Sequence, residues 1–314
     1  MKTLSLLCHT TAFALILTLG ASLAHAQNFV SWVSGVGSDT NPCDRELPCR
    51  TFGGALAKTL AGGVINVLEP GTFPLVTITN SITIDGGGGQ VAASEASFGQ
   101  NAITVNAGAN DVVILRNLRL DGFSGTGSGG ANGIVCTSVG QLHVENVYIS
   151  GYQNGIKVDM GATAEITMRN VTIENNSQAG IFLQTTGPAI AVTLDNVLIA
   201  NAEVGVLAGQ NAKATVMRSS IVGMSLTGLS ASAAGAEIDV DSTLIAYNDT
   251  GISAASFGTG NSAASPGLAR VSNSSLTFNG TGVLGNVGSF APGTNRFASN
   301  ASDGTFGLAA VPLK

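Results

Sequence analysis

Val113-Ile114-Leu115-Arg116-Asn117 returns as Leu142-His143-Val144-Glu145-Asn146, as Ile166-Thr167-Met168-Arg169-Asn170 and as Val192-Thr193-Leu194-Asp195-Asn196. Each copy has apolar residues two apart and then a turn residue. Later copies centre on Arg218, Ser242 and Asn273, and the successive turn residues are separated by 29, 24, 26, 22, 24 and 31 residues. A second marker, glycine followed by an aliphatic residue, keeps the same count. It runs Gly133-Ile134, Gly155-Ile156, Gly180-Ile181, Gly205-Val206, Gly228-Leu229, Gly251-Ile252 and Gly282-Val283.

Local alternation of period two makes each apolar run a strand, not a helix. A strand every seven or eight residues that returns after about 24 describes a chain that winds. The sequence therefore predicts an all-β fold, a right-handed parallel β-helix (β-solenoid) of roughly eight or nine stacked coils. Each coil would pair in parallel with the next at ~4.8 Å. Two inward columns follow: Leu115, Val144, Met168, Leu194, Val216, Val240 and Val271, and Ile134, Ile156, Ile181, Val206, Leu229, Ile252 and Val283. Leucine-rich repeats would need helices on the convex side, and their consensus is absent. Asn117, Asn146, Asn170 and Asn196 fall at a corner between two strands. Asparagine tolerates the left-handed backbone of a sharp corner, and stacked amides can hydrogen-bond along the ladder.

Outward from the repeat, the ends read differently. Residues 1–26 have the form of a cleavable signal peptide: Lys2, an apolar stretch from Leu4 to Leu23, and the small-x-small site Ala24-His25-Ala26. That predicts a chain starting at Gln27, in the periplasm or outside the cell, with no transmembrane span once the signal is removed. Residues 27–63 read as an N-terminal cap. Cys43 and Cys49 flank a short loop and are expected to form a disulfide in an oxidising compartment. Phe52, Ala55, Leu56, Thr59 and Leu60 lie at helical spacing, with Gly62-Gly63 as the stop. Coils are predicted over 64–285, and 286–314 as a degenerate last coil or C-terminal cap.

Nineteen Asp and Glu against thirteen Lys and Arg give a net charge of −6, about −7 without Lys2. Such a surface has no footprint for phosphate backbones, which excludes nucleic acid as a partner. Beyond the signal the single histidine is His143, far from the cysteine pair, so no zinc site is expected, and no metal or cofactor is assigned. Cys136 falls on an inward position, as a buried and inert thiol.

The coil pattern, the asparagine corners and the capped entry resemble the pectin lyase-like superfamily. Trp32 to Ile84, with its paired cysteines and the run Ala61 to Leu68, looks like the start of secreted bacterial β-helix repeat proteins. The resemblance covers nearly the whole chain after the signal. It implies the fold and leaves the function open, because that fold hosts lyases, hydrolases, esterases, epimerases and non-catalytic adhesins. Ile84-Asp85-Gly86-Gly87 also resembles a polygalacturonase segment, but no paired-Asp motif, Gly-His-Gly or Arg-x-Lys follows it.

The outward faces hold the candidate chemistry. Arg116, Glu145, Arg169 and Asp195 alternate in sign across four adjacent coils, His143 shares a strand with Glu145, and Tyr148 lies around the next corner. Such a patch could handle an anionic sugar, or could simply stabilise parallel pairing as a charge ladder. Lys157 and Asp159 read as a solvated surface pair. Asp239 and Asp241 project from one strand ~6.5–7 Å apart, near the separation of an inverting glycosidase pair. Arg270 should stack beside Asp239 and hold it ionised, which disqualifies it as an acid. Phe123 and Tyr152 sit at equivalent bends where they could offer aromatics to a sugar, and loops are expected at 122–130, 184–191 and 255–268.

One convergent cluster is little for catalysis. The sequence therefore favours a non-catalytic solenoid whose faces bind a polysaccharide or a cell-surface component. The alternative is a polysaccharide lyase or glycoside hydrolase acting on acidic glycans through the Arg116–Asp195 patch.

Overall fold

The computed structural model describes residues 27–87, 92–94, 99–122, 130–255, 267–290 and 293–308. The signal expected over 1–26 lies outside them. Three parallel sheets wrap around one core, with eleven strands in sheet A and ten each in sheets B and C. A coil runs from sheet C to sheet A to sheet B, for example through Asn132–Ser138, Gln141–Glu145 and Tyr148–Ser150. The chain is a right-handed parallel β-helix, as the repeat predicts.

The register is the one the repeat implies. Leu115, Val144, Met168, Leu194, Val216, Val240 and Val271 are successive partners in sheet A. Ile134, Ile156, Ile181, Val206, Leu229, Ile252 and Val283 are successive partners in sheet C. All fourteen are buried. Burying one such side chain contributes roughly 1.5–3 kcal/mol, so the columns carry much of the stability.

The corners between sheets A and B form the expected amide ladder. Asn117, Asn146, Asn170 and Asn196 sit at φ 57, 52, 55 and 55. Asn146, Asn170 and Asn196 each donate Nδ2 to the Oδ1 of the preceding asparagine, at 3.3, 3.1 and 2.8 Å. Arg218, Ser242 and Asn273 hold the same left-handed position at φ 50, 51 and 49.

Between Thr59 and Gly285 each sheet has nine strands, as the repeat predicts; Asn28–Val33 adds one to sheet A before them, and Val287–Ser289, Arg296–Ala298 and Ser302–Gly304 add one to each sheet after them. None of these added strands carries the repeat's markers. Two expectations need correction. The helix spans only Phe52–Leu56, and Thr59–Val67 is already strand. Gly62 and Gly63 lie within that strand, and a Cβ on Gly63 would meet the Phe29 carbonyl oxygen at 2.6 Å. Close strand approach, not helix termination, demands glycine there. Finally, 184–191 is no bulge: strand continues to Thr185 and resumes at Ile190.

The entry end is closed by local chemistry. The Thr51 hydroxyl caps the helix by accepting from the Gly54 N–H at 2.9 Å, and Phe52 packs on Phe73 with ring centroids 4.8 Å apart. Cys43 and Cys49 form the disulfide. Their carbonyls accept from the Trp32 and Ser34 N–H groups at 2.8 and 2.9 Å, so the cross-linked loop covers the free edge of the first strand. Among the described residues no helix is long and apolar enough to cross a membrane.

Candidate functional site

Alternation along the five-residue strands of sheet A projects rows of side chains outward. One row runs Asp85, Arg116, Glu145, Arg169, Asp195, Met217, Asp241 and Ser272. The register brings the four predicted charges together, but among them only Arg169 and Asp195 pair. Arg116 Nε pairs with Asp85 Oδ2 at 2.8 Å, away from Glu145. Burial works to raise Asp85, yet the Asn117 amide, the Gly87 N–H and Arg116 together hold its carboxyl below the usual range. Asp195 is bridged by two arginines, Arg169 Nε at 3.5 Å and Arg218 Nη2 at 2.6 Å. The Arg218 guanidinium is the main cause holding Asp195 below its ordinary value.

Among the described residues no cation comes within ion-pair distance of Glu145. His143 lies between Ile114 and Thr167 in the neighbouring row, half-exposed. Tyr148 donates its hydroxyl to Glu174 Oε1 at 2.5 Å, and the Arg119 guanidinium sits 4.2 Å over its ring. Tyr148 is therefore an anchored group beside the row, on sheet B.

Two candidates change standing. Tyr152 is 2 % exposed and packs inside the coil turn, so its ring is no ligand platform. Phe123 lies outside the described residues. Lys157 and Asp159 pair at 3.2 Å on sheet C, as a solvated surface pair would. Arg270 does reach Asp239, at 3.1 Å, and also pairs with Glu237. Burial nevertheless outweighs the guanidinium and pushes that carboxyl above its ordinary value. Asp241, bonded by Ser242, Ser272 and Asn273, is held down. Alternation along the strand shows that the two aspartates share a face, but burial depends on how neighbouring coils pack.

A groove of about 310 Å³ opens where sheets A and B meet. Asn170, Thr172, Asn196, Leu198, Arg218 and Ser220 line most of it. The asparagine corners bring two amides to its rim, and the corner residue of the following coil, Arg218, supplies a guanidinium whose side chain is 60 % exposed. Arg169 is 54 % exposed, and Leu198 is among the exposed large apolar side chains. Sequence reading missed Arg218 because its copy of the repeat was counted as a corner and not as a charge. It also missed Tyr247 and Phe278, exposed aromatics on the turns from sheet B to sheet C. Counting five residues on from the corner residues Ser242 and Asn273 would have found them. Among the described residues no three His, Cys, Asp or Glu side chains converge as a metal site. Cys136 is buried, and burial pushes its thiol up to about 12.

Comparison with known proteins agrees with this architecture. The family model described as "Right handed beta helix region" matches residues 74–243 and, overlapping, 132–301. Pectate lyase Pel9A is similar in structure, with TM-score 0.51 and 16 % identity over 90 % of this chain and 78 % of that one. A GH136 lacto-N-biosidase from Eubacterium ramulus is similar with TM-score 0.53 and 12 % identity, over 90 % of this chain and 67 % of that one. At such identities the likeness extends to the fold alone. No curated protein matches the sequence.

Proposed function

This chain belongs to the right-handed β-helix family, and from that footing we propose that it is an exported, non-catalytic solenoid that binds a polysaccharide along the corner of sheets A and B. The observation that carries this is the corner groove itself. Arg218 in the groove and Arg169 beside it each spend one contact on Asp195. A guanidinium has five N–H donors, so both retain donors for sugar hydroxyls or carboxylates. The Asn170 and Asn196 amides add polar partners, and Leu198 offers an apolar surface to the C–H face of a sugar. The oxidising compartment that a stable Cys43–Cys49 disulfide requires supports export.

The catalytic alternative has one observation in its favour. Asp239 is pushed up while Asp241 on the same strand is held down, and carboxyls driven apart in this way suit an acid and a base. Against it, Arg270 already engages both Asp239 and Glu237.

Calorimetric binding to pectate, alginate and neutral glycans, with product analysis with and without calcium, separates the two readings. Binding without turnover, weakened at least tenfold in Arg218→Ala, is the expected result. Turnover abolished by Asp239→Asn, Glu145→Gln or His143→Ala would replace the binding reading with the catalytic one.

A further inference from the structure

At each turn from sheet B into sheet C one residue takes the left-handed conformation. In successive coils these are Asn175 (φ 56), Asn201 (φ 55), Gly223 (φ 74), Tyr247 (φ 59), Phe278 (φ 58) and Ser299 (φ 59). Asparagine and glycine suit this backbone, whereas bulky aromatics there are strained. Tyr247 and Phe278 are also 64 % and 52 % exposed, so burial does not offset the strain. They stack on each other with centroids 5.0 Å apart and planes within 4°. That distance matches the coil spacing of ~4.8 Å, so the rings are consecutive rungs of one external ladder.

The ladder has a missing rung. Phe278 covers one face of Tyr247, and the other face looks toward the preceding coil, where Gly223 has no side chain. The coil before that carries Asn201. Its Nδ2 donates to Asn175 Oδ1 at 3.2 Å, while its Oδ1 leans over Gly223, 2.9 Å from where a Cβ would stand. The notch therefore has an aromatic wall, a bare backbone floor and an amide oxygen opposite. One coil step, ~4.8 Å, separates Tyr247 from Gly223, and the amide oxygen stands 2.9 Å from the Gly223 Cβ position, so it lies at most ~7.7 Å from the aromatic wall. A ring resting on Tyr247 at ~3.5–4 Å leaves the remainder for a hydroxyl bonded to that oxygen.

We propose that this notch binds one pyranose ring of a glycan, its C–H face on Tyr247 and a hydroxyl donated to Asn201 Oδ1. An aromatic face paired with an amide acceptor, and no charged side chain in the ladder from Asn175 to Ser299, selects an uncharged ring over a uronate. The proposal rests on the glycan-binding reading and extends it: Gly223 follows Arg218 by five residues, so one oligosaccharide crossing sheet B, at most ~17 Å, would meet both sites.

The test is NMR titration of the full chain with methyl β-glucopyranoside, methyl β-galactopyranoside and cellotetraose. It is read at the Tyr247 and Phe278 ring protons and the Asn201 side-chain amide. The expected result is a saturable shift at these groups for at least one sugar, weakened at least tenfold in Tyr247→Ala. Gly223→Asn, which restores the rung with a residue that tolerates the backbone, should abolish it. With the two monosaccharides, which are too short to reach the groove, Arg218→Ala should leave the shift unchanged, so failure of the groove and failure of the notch are read separately. No saturable shift in the wild type, or unaltered binding in Gly223→Asn, overturns the proposal. Tighter binding of p-cresol than of any sugar also overturns it and assigns the notch to an aromatic side chain of a protein partner.

Discussion

Arg218 reaches back one coil to place Nη2 2.6 Å from Asp195 Oδ1, from a corner backbone at φ 50 where the four preceding copies carry asparagine. At that coil the amide ladder ends and an ion pair takes over the corner. The same substitution supplies the guanidinium of the groove.

Asp195 and Asp239 should respond to pH with opposite signs. Asp195 is held low in the fold, so its contribution is present above the unfolded carboxylate value of ~3.9 and is lost as pH falls through its folded value. Asp195→Asn should therefore destabilise at pH 7 and much less near pH 2. Asp239 is pushed up, so its ionisation opposes folding as pH rises from ~3.9 through its folded value. Asp239→Asn should raise thermal stability at pH 7. Melting curves of both variants moving in the same direction at pH 7 would refute this assignment.

Asn170 is bonded on both sides, donating to Asn146 and accepting from Asn196 at 3.1 and 2.8 Å. Alanine there loses both bonds, ~0.5–1.5 kcal/mol each, and must also adopt a left-handed backbone costing ~1–2 kcal/mol. Denaturant titration should show Asn170→Ala losing about 2–5 kcal/mol and Asn170→Gly clearly less. Equal losses would mean that backbone conformation contributes nothing at this corner.

The tyrosines at 152 and 247 should separate structural from surface roles. Truncating buried Tyr152 to alanine should cost about 3–5 kcal/mol, as for other large core aromatics. Tyr152→Phe should be neutral or stabilising by up to ~1 kcal/mol, since its hydroxyl has no hydrogen-bond partner among the described residues. Tyr247→Gly loses a ring stack worth ~0.5–1.5 kcal/mol and relieves a strained backbone, so stability should change by less than ~1 kcal/mol. A loss as large as that of Tyr152→Ala would make Tyr247 a structural residue.

Cys136 should resist alkylation in the native protein at pH 8, because its thiol is both buried and pushed up to about 12. Peptide mapping after iodoacetamide should find it labelled only when denaturant is present. Rapid native labelling would show that its coil opens.

The sequence by itself determined the winding, the direction in which Val144, Met168 and Leu194 point, the asparagine corners and the cysteine pair. These follow from a period of two and from backbone preferences, which act within a few residues of chain. It did not determine where long side chains end. Arg116 bonds Asp85 and not Glu145, and Arg218 turns back to Asp195, because a flexible guanidinium chooses among acceptors on the coils to either side. It did not decide burial either: Tyr152 packs beside Gly122 and Gly133, and Asp239 lies against Arg270, all on neighbouring coils. Nor did it show that Tyr247 and Phe278 would stack beside a vacant rung. Register across coils sets that arrangement, and only the stacked chain brings residues so distant in sequence within 5 Å.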